Sequence, residues 1–490
     1  MKKRIILLII IAYSFCISSC KKFLNEDPKG LLYTNNFFTT DAKVNAAVIG
    51  IIAAVRNEIT SSTPPYYMLE IISDDAQLGG TLVSERYNLD QLKYNASSTY
   101  IQAVWTNCYT VINNANTVIN YTDSSLVTPN TCRLAIGQAR FWRAYSYFEL
   151  VRLWGGVPLV LTPSTSNNLF PSRATTVDVY NQIIADLQYA EQVLPSYYAY
   201  SDPVNGGCAS QVTAKALLGL VYLTMSGFPL QDASKLPLAS TELNGIITNS
   251  SKYNVGLMSP YSSIFNPQLK TSNQENLFYF QGTYGLASNA NGGSQMNALY
   301  GTYSEAIPTR VVDTAVFASG DARKAVCFNS AGTGIVKYGT TATPTTLQTA
   351  YDFHVIRYSD VLLMYAETLI EQETNTTSTT PNLDMALNII NQIRVAHGGS
   401  SLRPLSYSNQ SDLRAKYRAE RRSELLYEGH RLYDLLRWGI FVPTVQAQLA
   451  NQTKQPIDAF NYITSDYNLL PIPFYDINLN PNLTQNPGWQ

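Results

Sequence analysis

The side chains best suited to chemistry in this chain gather in two polar, aromatic stretches. From Ile72 to Tyr94 the sequence holds Asp74, Asp75, Gln77, Arg86, Tyr87 and Tyr94, and from Tyr284 to Tyr303 it sets Tyr284, Asn289, Asn291, Tyr300 and Tyr303 among glycines. A sugar offers a face of C–H groups that packs on an aromatic ring, and a rim of hydroxyls that needs donors and acceptors. Loop aromatics beside Asp, Asn, Gln or Arg meet both needs. With 34 Tyr against 5 Trp, tyrosine must do most of the stacking. Any single loop tyrosine can equally pack the underside of its own loop. As a set, Asp74, Asp75, Arg86, Tyr87, Tyr94, Tyr284, Tyr300 and Tyr303 are the expected ligand contacts.

Catalytic patterns are missing from the sequence. It has no G-x-S-x-G elbow, no H-E-x-x-H helix and no Walker loop. The three histidines, His354, His397 and His430, fall in or beside helical stretches, where capping and packing are the expected roles. A glycosidase needs two carboxylates flanking one bond; Asp74 and Asp75 are neighbours whose side chains point apart. A secreted glycoside hydrolase is therefore the weaker class, and no cofactor is expected. Cys108, Cys132, Cys208 and Cys327 are too far apart for a zinc site. Export permits a disulfide between Cys108 and Cys132 if their helices meet, but buried free thiols are the commoner outcome in a chain with this much core.

The N-terminus sets the compartment. Lys2, Lys3 and Arg4 precede the apolar run Ile5 to Ile11, and Ile17, Ser18 and Ser19 lead into Cys20. A basic head, a short apolar core and small residues before a cysteine read as a secretory signal over 1–19 with lipidation at Cys20, since a spanning helix needs about 20 apolar residues. Stable anchoring takes at least two acyl chains, which a bacterial lipoprotein carries. Lys21, where an inner-membrane retention signal would place an acid, points to the outer membrane. Net charge is -1 and only 14% of residues are charged, which argues against a nucleic-acid partner. A surface solvated by Asn, Ser, Thr, Gln and Tyr suits a neutral, hydroxyl-rich ligand.

Helical periodicity is clear over Asp41 to Ile59, Tyr100 to Tyr121, Asn130 to Trp154, Asp178 to Leu194 and Val212 to Ser226, and again over Val355 to Glu373, Leu383 to His397 and Ser411 to Trp438. Ala135, Ala139 and Ala144 among Phe141, Trp142 and Phe148 are the small and large residues that let helix pairs stack. Between about Gly227 and Tyr351 the chain turns rich in Gly, Ser, Thr, Asn and Tyr, with strand signals at Leu277 to Gln281 and Gly334 to Tyr338. The expected fold is mainly α: a tetratricopeptide-like helical-repeat scaffold with a large loop-rich insertion and a few short strands. The expected divisions are 20–230, an insertion at 231–350, and 351–490. A rigid frame would then carry specificity on loops. Within the last helix, Arg421 with Glu424, Glu428 with Arg431, and Arg431 with Asp434 stand three apart and are expected as local ion pairs.

Several segments, in order, resemble the SusD/RagB family of outer-membrane nutrient-binding lipoproteins. After Cys20 come Lys21, Lys22, Phe23 and Leu24, then Asp27 and Pro28. Trp105 and Tyr109 with Asn113, Ala115 and Asn116 are similar to the family's W-x-x-x-Y…N-x-A-N helix, and the run from Arg140 to Pro158 to its next one. Asp321 to Arg323, Arg357 to Glu367, Glu420 to Gly439, Pro471 to Pro473, Asn480 to Leu483 and Gln485 to Trp489 follow. The resemblance covers nearly the whole chain after the signal. It implies a helical-repeat lipoprotein that binds oligosaccharides, or peptides in some members, and closes as a lid on a SusC-like TonB-dependent barrel transporter. It also implies that the loop before the W-x-x-x-Y helix supplies polar and aromatic ligand contacts.

Overall fold

The computed structural model describes residues 37–60, 71–78, 84–165, 169–202, 207–282, 306–308, 316–339 and 350–489. Its α-helices of six or more described residues are α1 (Asp41–Thr60), α2 (Ser84–Asp90), α3 (Thr99–Tyr121), α4 (Pro129–Trp154), α5 (Thr176–Val193), α6 (Gln211–Ser226), α7 (Leu236–Thr248), α8 (Tyr358–Gln372), α9 (Pro381–Gly398), α10 (Gln410–Glu424), α11 (Arg431–Arg437), α12 (Phe441–Thr453) and α13 (Phe474–Leu479). The strands are β1 (Ala76–Leu78), β2 (Asn276–Phe280), β3 (Ala306–Pro308) and β4 (Phe353–Arg357). β1 pairs antiparallel with β3, and β2 with β4.

Local chemistry starts these helices. Ser98, Thr128, Thr175, Ser210, Thr380 and Asn409 each accept a backbone N–H two or three residues into the helix that follows, and Pro129 and Pro381 supply the first-turn φ. From α3 to α9 each long helix packs against the next, and α1 lies on α3 and α4. This is the mainly α helical-repeat scaffold that the periodicity predicts. The second half of α4 is buried on all sides, so Trp142, Tyr145 and Phe141 can form one aromatic cluster with Phe278 and Phe280 of β2. Close helix contact needs small residues. A Cβ added to Gly219 of α6 would stand 2.8 Å from Leu243 of α7.

Four expectations change. The loop-rich block opens with a helix, α7, that joins the stack between α6 and α8. The residues before Tyr358 are strand rather than helix, because Phe353 and Ile356 bury against β2. Gly334 to Tyr338 gives only a single bridge, Phe328 with Ile335. The helix expected from Ser411 to Trp438 is broken between α10 and α11, where Tyr427 (φ 63) and Gly429 (φ 79) enter the left-handed region. Cys108, Cys132, Cys208 and Cys327 are all free thiols, so the Cys108 to Cys132 bridge is not formed.

The break redirects the expected ion pairs. Arg421 pairs with Asp360 at 2.5 Å and Asp434 at 2.7 Å, not with Glu424. Glu424 and Glu428 meet Arg357 of β4, at 3.1 and 2.6 Å, and Glu428 also takes Lys337 at 2.6 Å. His397 lies between Glu275 and Glu424, at 3.1 and 2.8 Å. Burial opposes its charge, but the two carboxylates raise it to about 10 and keep it protonated. These contacts tie α8, α9, α10 and both strands of the β2–β4 pair into one frame. Removing one member of such a buried pair costs roughly 3–5 kcal/mol, because the partner's charge is left behind.

Candidate functional site

The first candidate loop is built around its two aspartates. Asp74 receives Arg431 through Nε at 2.7 Å and Nη2 at 3.0 Å, and Arg422 Nη2 at 2.8 Å. Asp75 receives Arg422 Nε at 2.7 Å and is only 1% exposed. Burial pushes the Asp74 carboxyl up, but the two guanidinium groups outweigh it and hold the acid below its ordinary value. Burial raises Asp75, with Asp74 as a like-charged neighbour. Both carboxylates, expected at the ligand, are thus engaged by arginines from the end of α10 and the start of α11. They fasten the loop to the frame.

The rest of the loop follows from that anchor. Asp90 accepts the Leu78 N–H at 2.9 Å, tying β1 to the last residue of α2. Glu85 holds the start of α3 through Thr99 Oγ1 at 2.7 Å and Ser98 Oγ at 3.0 Å. Arg86 donates from Nε to the Tyr100 hydroxyl at 2.6 Å. Tyr94 stacks on Trp489, with centroids 5.4 Å apart at 23°, and meets Tyr467 edge-on. Its ring is buried, so its place is inside the fold.

Tyr87 is different: 37% exposed, it leaves part of its ring to solvent. Beside it stands Tyr462, 36% exposed, whose hydroxyl donates to the Gln91 carbonyl at 2.6 Å and whose ring lies 5.9 Å from Lys93 Nζ. Burial, with Tyr467 and Tyr87 as further neighbours, pushes the Tyr462 hydroxyl up to about 12. Tyr462 was not among the expected residues. Nothing in its local pattern marks it, because the contact joins segments 371 positions apart.

Strand pairing joins β1, directly after Asp75, to β3. Ala76 faces Pro308, Gln77 faces Ile307 and Leu78 faces Ala306. The chain that carries Asp74 and Asp75 therefore runs alongside residues 306–308. Tyr284, Asn289, Asn291, Tyr300 and Tyr303 lie outside the described residues, as does Cys20.

The remaining titratable groups serve the frame. His354 binds Asn276 at 2.6 Å, and burial lowers it to about 3, so it is neutral. His430, its side chain 12% exposed, stands 4.0 Å from Asp360, and desolvation lowers it too. Among the described residues no group of three or more His, Cys, Asp or Glu side chains could hold a metal ion.

Comparison with known proteins gives consistent matches. A family profile described as "SusD family" covers residues 196–489, and one described as "Starch-binding associating with outer membrane" covers residues 22–223. SusD-like protein P2 of Formosa agariphila is 26% identical, over 95% of this chain and 96% of its own. A SusD homolog from Bacteroides thetaiotaomicron VPI-5482 superposes with a TM-score of 0.75 at 24% identity, covering 93% of this chain and 98% of the other. A laminarin-binding SusD-like protein superposes with a TM-score of 0.75 at 22% identity, covering 92% and 100%. At these identities the superpositions establish the fold.

Proposed function

The chain belongs to the SusD family, and we propose that it is a surface lipoprotein, anchored in the outer membrane through Cys20, that captures neutral oligosaccharides without chemically changing them. The captured ligand passes to a SusC-like TonB-dependent barrel. The observation that carries this reading is Tyr87, 37% exposed on a segment whose start Asp74 and Asp75 fasten to the frame through Arg431 and Arg422. Tyr87 supplies a ring face for sugar C–H groups, with Tyr462 as its neighbour. Arg86 and the second loop's Tyr284, Tyr300 and Tyr303 add hydrogen bonds and further faces. Asp74, Asp75 and Tyr94 hold the first loop in position, so that little ordering is left for the ligand to impose. The names of relatives support the class: one is named for binding laminarin, none of those cited for a reaction.

The test is calorimetric titration of the chain from Lys21 onward with laminarihexaose, maltohexaose, acidic glycans and peptides. Saturable binding of a neutral oligosaccharide, weakened about tenfold, or ~1.4 kcal/mol, by Tyr87→Ala, is expected. Binding confined to peptides or acidic glycans, or unaffected by Tyr87→Ala, would count against it. Delivery is tested separately, by whether a barrel co-purifies from mildly solubilised outer membranes.

A further inference from the structure

Seven large apolar side chains among the described residues are more than half exposed, and five of them lie in two neighbouring segments. Phe474, Tyr475 and Leu479 stand on α13, and Leu169 and Phe170 on the loop between α4 and α5. Asn480 and Asn482 donate from Nδ2 to the Pro171 and Phe170 carbonyls, at 2.8 and 2.7 Å, and so hold the two segments side by side. At the start of α13 the Phe474 N–H donates to the Ala96 carbonyl at 2.8 Å, and Gln102 Nε2 donates to Asp476 at 2.9 Å. The patch is thus fixed in place, and a partner has little left to order.

Three half-exposed aromatic side chains of about 200 Å² each, with two leucines, leave roughly 500 Å² of apolar surface open, the size that marks an interaction site. Asn478 and Asn482 stand exposed at its edge, and with them it approaches the ~800 Å² that a specific interface covers on each partner. Charge is nearly absent from the two segments. Residues 159–172 hold none, and residues 474–490 hold only Asp476, which Gln102 already meets. Arg173, which follows Leu169 and Phe170, is engaged by the Trp154, Gly156 and Thr484 carbonyls and by Asn486.

We propose that a second copy of this chain docks on the patch, so that two copies form a two-fold symmetric dimer through Phe170, Phe474, Tyr475 and Leu479. A contact of that symmetry must match itself. Apolar rings do so, as do Asn amides, which both donate and accept; a patch of one charge would not. At a net charge of -1 the copies scarcely repel each other. A lipid surface fits less well, because a helix lying on a bilayer carries Lys or Arg on its polar face, and α13 has neither. The inference stands on this surface and does not depend on the loop reading. On that reading each copy brings its own Tyr87, and a glycan that reaches both gains by the higher effective concentration of its second end.

Sedimentation velocity on the chain from Lys21 onward, between about 1 and about 200 μM protein and at about 0.05 and about 0.5 M salt, tests the patch. A reversible equilibrium between one copy and two is expected, and high salt should leave it intact because no ion pair carries it. Combining Tyr475→Ser with Leu479→Ser should weaken the dimer about tenfold or more. Both side chains are exposed, so this variant should keep the wild-type unfolding profile and oligosaccharide affinity. The proposal is overturned if the chain stays a monomer throughout, if the double variant dimerises as well as wild type, or if high salt dissolves the dimer. A monomer that floats with phosphatidylcholine vesicles, and stops doing so as the double variant, would overturn it too and give the patch to a lipid surface.

Discussion

Asp74→Ala deletes a carboxylate that meets two guanidinium groups at once, through contacts of 2.7, 3.0 and 2.8 Å. Charge-assisted hydrogen bonds contribute about 1.5–3 kcal/mol each, but stripping water from three charged groups offsets much of their sum. Truncating one partner of a buried pair costs roughly 3–5 kcal/mol. Here Arg422 keeps Asp75, and the Arg422 and Arg431 side chains are 15% and 13% exposed, so water can reach both. The expected loss is therefore near the lower end, about 3 kcal/mol. Because Asp74 fastens one loop to α10 and α11, the damage should appear there first, making that loop open about 100-fold more often. Hydrogen exchange reads this directly through the amides of Leu78, Gln91 and Lys93, which bond to Asp90, Tyr87 and Asn88. Their protection should fall by about two orders of magnitude in Asp74→Ala and in Arg431→Ala, with the double variant little worse than either. Oligosaccharide affinity should fall with the fraction of molecules whose loop is closed. Unchanged protection at these three amides would refute the assignment of Asp74 as the anchor.

Two more outcomes follow from buried groups. His397, raised to about 10 against an ordinary value near 6.5, gives stability that is whole below about pH 6.5 and is lost as pH climbs toward 10. Glu428, despite burial, is held at about 2 by Arg357 and Lys337, so its share is whole above the ordinary carboxylate range and lost as pH falls toward 2. Urea midpoints should therefore decline on both sides of neutrality, and His397→Gln should flatten the alkaline limb; an alkaline limb as steep in His397→Gln as in wild type would contradict the assignment. Tyr94 carries a buried hydroxyl with no partner among the described residues. Tyr94→Phe should leave stability equal or raised by about 1 kcal/mol and leave oligosaccharide affinity unchanged, as thermal unfolding and calorimetry would check; a tenfold loss of affinity would restore Tyr94 to the ligand surface.

The helices were legible because their signals are local. A 3.6-residue apolar period, a Ser, Thr or Asn cap and a first-turn proline lie within a few positions of one another, and α1, α3 to α6, α8 and α9 follow from them with small shifts at the ends. The break after Glu424 was not legible. A left-handed Tyr427 is held by distant groups: Tyr338 donates to its carbonyl at 3.1 Å, and Lys337 to the Leu426 carbonyl at 2.7 Å. The charges of α10 and α11 were visible, but their partners were not, since spacing along one helix offers only neighbours three or four positions away.

The sequence by itself determined the scaffold and the family, because composition, periodicity and motif order need no third dimension. Only the tertiary structure decided what each polar side chain of the site is free to do. Asp74 and Asp75 look like ligand contacts until Arg431 and Arg422 arrive from positions about 350 residues later in the chain. Tyr87 looks like any loop tyrosine until Tyr94 beside it is seen buried against Trp489 and Tyr87 itself is seen open to solvent. A buried charge takes whatever partner the packing brings within reach, and that choice is made in space.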